Sequence, residues 1–127
     1  MDINAATRDK LRHVSTATLC TQLFKRGFRN VDVQGITKLS AAAENLVGPA
    51  FTLRNIPARE DLDQLSAFEN PNHPQRKAIE STPPGHVLVI DCRGETRVAS
   101  GGQILLTRLE VRGAAGVDSA VIGSRLR

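Results

Sequence analysis

A short apolar run followed by a glycine-rich turn and a helical segment constrains the fold of this chain more than any other feature. Residues 86–91 (HVLVID) have the length and character of a buried strand, and a helix is predicted over residues 103–112, between a turn at residues 100–102 (SGG) and Gly113. A glycine turn that leads into a helix N-terminus directs several backbone N–H groups at one point, which suits an anion. The alternative is a tight turn in which small residues permit close packing. The pattern alone leaves both open.

The remaining segments predict a layered α/β arrangement. Further helices are expected at residues 5–11, 16–26 and 75–81, and further strands at residues 47–53 and 116–122. Asn4 and Ser15 are candidate caps of the first two helices, and Pro74 suits the first position of the third. Residues 59–64 are polar and can carry one or two helical turns. Strands mixed with helices, without an internal repeat, indicate a single α/β domain over residues 1–127.

Composition bounds the class of protein. Hydrophobic residues make up 40% of the chain and charged residues 24%, which argues against wholesale disorder. The net charge of +4 comes from scattered residues without a basic block, so we expect no direct nucleic-acid binding. The chain has no apolar signal segment and no run long enough to span a membrane, so we expect a soluble cytoplasmic protein with Cys20 and Cys92 as free thiols. The predicted core is aliphatic and surrounds the four phenylalanines, Phe24, Phe28, Phe51 and Phe68.

Three other groups of side chains are candidates for chemistry. The histidines His13, His73 and His86 have no partner at metal-ligand spacing, so surface or loop roles are favoured. The carboxylates within residues 60–63 form either a metal or base site or an exposed, acidic helix start. Asp91 closes a buried strand, where ligands bind in open α/β sheets, although it can equally cap the next loop.

Several blocks in order along the chain resemble the RraA-like family. These blocks are residues 47–53 (VGPAFTL), 84–91 (PGHVLVID), 102–105 (GQIL) and 112–117 (RGAAGV). The family contains the regulator of ribonuclease E activity and the class II 4-hydroxy-4-methyl-2-oxoglutarate aldolases. Older descriptions call such chains dimethylmenaquinone methyltransferases, but no G-x-G-x-x-G follows a strand here to cradle an adenosyl cofactor. Residues 56–65 (IPAREDLDQL) resemble a longer subgroup described as ribonuclease activity regulators.

The resemblance implies a fold, an assembly and a reaction. The fold would be a swivelling β/β/α domain, and the assembly a homotrimer or hexamer with sites between subunits. Family aldolases cleave a 2-oxo acid to pyruvate, and some decarboxylate oxaloacetate, with Mg²⁺ or Mn²⁺ as cofactor. By resemblance, the pyruvate-like carboxylate would be bound through the backbone N–H groups of Gly102, Gln103, Ile104 and Leu105.

The motif that would complete such a site departs from the family pattern. In the family a D-G-x-x-R-D motif follows, in which the Arg holds the substrate and the last Asp anchors the metal. At the family's spacing the first Asp is Ala120, the Arg is Ser124 and the metal-binding Asp is Arg125. Arg125 can supply the catalytic guanidinium if the register slips by one, and no metal ligand remains. We therefore expect a fold that is truncated or degenerate at its C-terminal end, and an impaired aldolase or decarboxylase. The alternative is a ribonuclease regulator that acts by protein binding without catalysis.

Overall fold

The described residues form three parallel strands and four α-helices. The computed structural model describes residues 3–33, 36, 45–95 and 99–119. In chain order the elements are α1 Ala5–Arg12, α2 Thr16–Lys25, β1 Ala50–Arg54, a 3-10 helix Leu65–Glu69, α3 Pro74–Ser81, β2 Val87–Asp91, α4 Gln103–Val111 and β3 Gly116–Ser119. Within these ranges, each helix is too short or too polar to cross a bilayer.

The two N-terminal helices begin after the caps that the sequence predicts. The Asn4 side chain accepts a hydrogen bond from the Thr7 N–H at 2.8 Å, and Ser15 Oγ accepts one from the Thr18 N–H at 3.2 Å. After α2 the chain turns at Gly27, whose φ of +89° is in the left-handed region that favours glycine. Neither α1 nor α2 buries any residue. Their apolar stripes are therefore at most half-buried in the described part of the chain.

The sheet has β2 in the centre and carries the core on one face. β1 and β3 pair with β2 in parallel, with Ala50 opposite Val87 and Val87 opposite Gly116. Because side chains alternate along a strand, Leu88 and Ile90 of β2 point to the face on which α3 and α4 pack. The buried cluster consists of Ala78, Ile79, Leu88, Ile90, Cys92 and Leu109.

The opposite face of the sheet is largely open in the described residues. Thr52 and Arg54 are exposed there, and Val89 and Asp91 are half-buried beside a shallow concavity. Parallel sheets are usually covered on both faces. The predicted α/β class is confirmed, and the described residues supply one sheet and one helical layer of the β/β/α arrangement that the resemblance implies.

One element boundary differs from the predicted one. The strand expected from residue 47 begins at Ala50, after a close approach in which a Cβ on Gly48 would lie 2.4 Å from the carbonyl oxygen of Gly85. Residues 59–63 form a single turn, as the sequence allowed, in which the Leu62 and Asp63 N–H groups donate to the Arg59 carbonyl at 3.0 and 2.7 Å. A 3-10 helix that the sequence did not predict follows at Leu65–Glu69. Residues 120–122 of the last predicted strand lie outside the described residues.

The prediction of a core around four phenylalanines is wrong for three of them. Phe51 packs against the buried cluster, but Phe24, Phe28 and Phe68 are 59%, 57% and 43% exposed. Phe24 lies on the predicted apolar stripe of α2. The stripe forms on α2 as predicted, but no other element among the described residues packs against it to bury Phe24.

Candidate functional site

The N-terminus of α4 forms the predicted glycine turn. Gly102 is the N-cap, with φ −103° and ψ 170°, and the first hydrogen bond of the helix runs from the Leu106 N–H to the Gly102 carbonyl at 3.1 Å. The N–H groups of Gln103, Ile104 and Leu105 therefore have no backbone acceptor within the described part of the chain. The first turn carries no acidic residue, so the positive end of the helix dipole is uncompensated there. The four predicted carboxylate-binding residues thus share one turn, and their binding role stays a prediction.

The space around the two turn glycines bears on the alternatives left open by the sequence. A Cβ on Gly101 or Gly102 would meet no heavy atom within 4 Å. Neither residue has a positive φ. Close packing among the described residues therefore does not explain the glycines. The open space leaves the backbone accessible, and the anion-binding interpretation stays a prediction.

A small cavity of about 40 Å³ lies beside this turn, between α4 and the ends of β2 and β3. The Ser100 and Ser119 hydroxyl oxygens in its wall are 2.8 Å apart, and Gln75 Nε2 donates to the Ser100 carbonyl at 2.7 Å. At about 10–15 Å³ for each water, the cavity has room for about three waters. The other lining residues are Ile90, Ala99, Gly101, Leu106 and Val117.

A polar side chain lies at or just after the carboxyl end of each of the three described strands. Asn55 follows β1, Cys92 follows β2 and Ser119 ends β3. Asn55 Nδ2 lies 3.6 Å from Cys92 Sγ, and Cys92 Sγ lies 3.9 Å from Ser119 Oγ. In the sequence analysis, the rule that ligands bind at the carboxyl ends of parallel strands identified only Asp91 as a candidate binding residue. Applied to every strand, the same rule would have found Asn55 and Cys92 as well.

Asp91 caps a loop rather than lining the cavity. Its Oδ1 accepts the Arg93 N–H at 2.9 Å, and its Oδ2 accepts Arg54 Nε at 2.9 Å. The hydrogen bond from the Arg93 backbone, with a smaller contribution from Arg54, holds the pKa of Asp91 below its ordinary value. The structure therefore supports the capping role, the second of the two that the sequence left open.

The donors beside the cavity do not fit Mg²⁺ or Mn²⁺. Both ions prefer carboxylate oxygens, and the side-chain oxygens in the wall are the hydroxyls of Ser100 and Ser119. Asp118 lies on the other face of β3, where burial raises its pKa. Among the described residues, no three His, Cys, Asp or Glu side chains are grouped closely enough to hold a metal ion. Arg125, the candidate catalytic guanidinium, lies outside the described residues, as do Ala120 and Ser124.

The histidines and the acidic cluster have structural surroundings. His13 is the C-cap of α1, His86 directly precedes β2, and the His73 ring lies 4.7 Å from the Phe68 ring. The carboxylates of residues 60–63 lie in an exposed turn, where the hydrogen bond from Arg59 holds the pKa of Asp61 below its ordinary value. The cluster is exposed, as one of the two interpretations predicted, but it lies in a single turn and no helix among the described residues starts there.

Comparisons with known proteins assign this arrangement to a family. Residues 16–127 match the family described as RraA-like, Aldolase/RraA. The chain belongs to the RraA-like family. The sequence matches none of the curated proteins.

A solved structure similar to this RraA-like chain is RraAS2 of Streptomyces coelicolor, described as an unusual member of the RNase ES inhibitor RraA protein family. The two share 29% sequence identity, and the TM-score is 0.72. The match covers 94% of this chain and 54% of that one, so this chain spans about half the length of the solved relative. The RraA-like resemblance drawn from the sequence blocks is confirmed.

Proposed function

We propose that this RraA-like chain regulates an RNase E-type ribonuclease by binding to it, without catalysis. The observation that carries this proposal is the structural likeness to RraAS2, whose family is described as inhibitors of RNase ES. A regulator of this kind needs a folded surface that a partner can bind and requires no reactive centre. Exposed apolar side chains such as Phe24, Ile56 and Leu65 offer this chain contact area for such a partner.

The test is the rate of RNA cleavage by Streptomyces coelicolor RNase ES as the chain is added. We expect the rate to fall and then level off as the enzyme becomes saturated. The chain should not retard the RNA alone in a mobility-shift gel, which separates enzyme binding from substrate binding. The matched control is Leu88→Asp, because Leu88 is fully buried and a carboxylate there should unfold the chain. Cleavage that continues unchanged at saturating wild-type chain would contradict the proposal.

A second candidate function is the binding of a small 2-oxo acid at the N-terminus of α4. It is favoured by the N–H groups of Gln103, Ile104 and Leu105, which have no backbone acceptor among the described residues and belong to the turn beside a cavity with two hydroxyls in its wall. A carboxylate placed there would accept backbone hydrogen bonds and would compensate the helix dipole. The cavity is small, at about 40 Å³, so the ligand that we propose is an acid no larger than pyruvate.

We further propose that the chain does not turn this ligand over by itself. In a metal-dependent lyase of 2-oxo acids, the divalent ion stabilises the developing enolate. The donors beside the cavity are hydroxyls, and the family's metal-binding Asp is replaced by Arg125 in the sequence. Binding of the acid would then serve recognition or control rather than chemistry.

A further inference from the structure

Polar side chains at the carboxyl ends of the three strands are linked in a line that ends in the cavity wall, and we name this line the polar network. Asn55 Nδ2 lies 3.6 Å from Cys92 Sγ. Cys92 Sγ lies 3.9 Å from the Ser119 hydroxyl oxygen, which lies 2.8 Å from that of Ser100. Ser100 and Ser119 line the cavity, whereas Asn55 follows β1 at the far side of the described sheet. The polar network therefore connects β1 to the candidate site.

The hydrogen atoms of the polar network point in one direction. The amide nitrogen of Asn55 donates and cannot accept, so Cys92 Sγ accepts its hydrogen bond. The thiol hydrogen is then donated to the Ser119 oxygen, and the Ser119 hydrogen is donated in turn to the Ser100 oxygen. Hydrogen bonds in such a series polarise and strengthen one another. The hydroxyl hydrogen of Ser100, at the end of the series, is left without an acceptor in the polar network.

Ser100 is held beside the proposed binding turn. Gln75 Nε2 donates to the Ser100 carbonyl at 2.7 Å, which fastens the Ser100 backbone to α3. Ser100 also lies two positions before Gly102, the N-cap of α4. Cys92 is buried and the other members of the polar network are partly buried, so water competes little for these hydrogen bonds. The Ser100 hydroxyl is therefore a fixed hydrogen-bond donor close to the N–H groups of α4.

We propose that the Ser100 hydroxyl donates a hydrogen bond to the 2-oxo oxygen of the bound acid and selects a 2-oxo acid over the corresponding saturated acid. This inference rests on the second candidate function, the binding of a small acid at α4, and names the side chain that sets its specificity. The N–H groups of α4 would bind the carboxylate, which all short acids share, so they do not distinguish among them. The 2-oxo oxygen accepts a hydrogen bond, whereas a methylene in its place would leave the Ser100 hydrogen unsatisfied. Cys92 is a positioning residue, because it sets the direction of the polar network without touching the ligand.

The test compares the affinities of pyruvate and propionate, which has a methylene in place of the 2-oxo group, by NMR titration of the full chain. The wild type should bind pyruvate about fivefold more tightly than propionate, the change in affinity expected from one hydrogen bond between neutral groups. Ser100→Ala should bind both acids with the wild-type affinity for propionate. A variant that merely misfolds would lose affinity for propionate as well. The matched control is Ser66→Ala, an exposed serine of the 3-10 helix, which should keep the wild-type preference.

The role of Cys92 is tested with two further variants. Cys92→Ala interrupts the polar network and should reduce the preference for pyruvate. Cys92→Ser should restore it, because a hydroxyl also accepts from Asn55 and donates to Ser119.

The outcomes separate this inference from the candidate function on which it rests. A wild type that binds both acids equally, or a Ser100→Ala variant that still prefers pyruvate, would overturn the role of Ser100 and leave the carboxylate site in place. A wild type that binds neither acid would overturn the carboxylate site and this inference together. A Cys92→Ala variant with the full wild-type preference would overturn the positioning role of Cys92.

Discussion

Gln103 occupies the first helical position of α4, where a proline can replace it without breaking the helix. The N–H at this position has no intrahelical acceptor, so its removal costs the helix no hydrogen bond. Gly102 is extended, with ψ 170°, which is the conformation that a following proline requires. Gln103→Pro therefore removes one proposed ligand donor and leaves the fold intact.

We predict that Gln103→Pro weakens pyruvate binding by about tenfold or more, which is the change in affinity expected from the loss of one hydrogen bond to a charged group. Gln103→Ala, which keeps the N–H, should bind like the wild type. An NMR titration of the Ile104 and Leu105 amide signals measures both affinities. With oxaloacetate and Mg²⁺, all three proteins should release pyruvate no faster than protein-free buffer. Equal affinity in the proline variant would argue against the N–H site, and rapid pyruvate release would refute the absence of turnover.

At the level of elements, Glu80 ties α3 to α4. Its carboxylate accepts Arg108 Nε at 2.8 Å and Arg108 Nη2 at 2.9 Å, and Arg112 Nη1 donates to it at 3.1 Å. The hydrogen bonds from Arg108, with the charges of both arginines, hold the pKa of Glu80 below its usual 4.5. Because the folded carboxyl binds its proton less readily than the unfolded one, this contact stabilises the fold above about pH 4.5.

We therefore predict that Glu80→Gln reduces the acid sensitivity of the fold. The stabilisation by Glu80 is lost as the pH falls below 4.5 and through the lower folded pKa. The melting temperature of the wild type should decrease more over that pH interval than the melting temperature of the Gln variant does. The effect is small because the pair is exposed to solvent. Glu110→Gln is the control for the loss of one negative charge, since Glu110 is an exposed carboxylate of α4. Parallel pH profiles for the wild type and Glu80→Gln would contradict this role.

Across the whole molecule, stability should be distributed unevenly. Leu88 and Ile90 place β2 in the buried cluster, whereas α1 and α2 bury no residue. Segments with few buried contacts open locally at low free energy, and central strands open only when the domain unfolds. The N-terminal helices are therefore expected to be the least protected helices of the chain.

We predict that hydrogen exchange is slowest in β2 and fast in α1 and α2 at low protein concentration. Exchange measured by NMR, residue by residue, gives the order of protection. If the amides of α2 and β2 were equally protected from exchange in the dilute protein, the prediction would be wrong, because α2 would then be as stable as the central strand.

The sequence predicted those features of the structure that depend on residues close together along the chain. Asn4 and Ser15 each cap a helix by accepting a hydrogen bond from a residue three positions later, and residues 102–105 are consecutive. Both features could therefore be predicted from the local sequence. The exposure of Phe24 depends on whether another layer covers α2, which no local pattern contains. The contact of Ser100 with Ser119 joins residues 19 positions apart and depends on the strand register.

The order β1, β2, β3 across the sheet also has a consequence for synthesis. Each strand pairs with one that lies roughly 30 to 40 positions away along the chain, as Ala50 does with Val87. During translation β1 therefore emerges long before its partner, and its backbone groups bond to water rather than to a neighbouring strand until Asp91 has left the ribosome. Chaperones that hold extended apolar segments should engage the nascent chain in this interval.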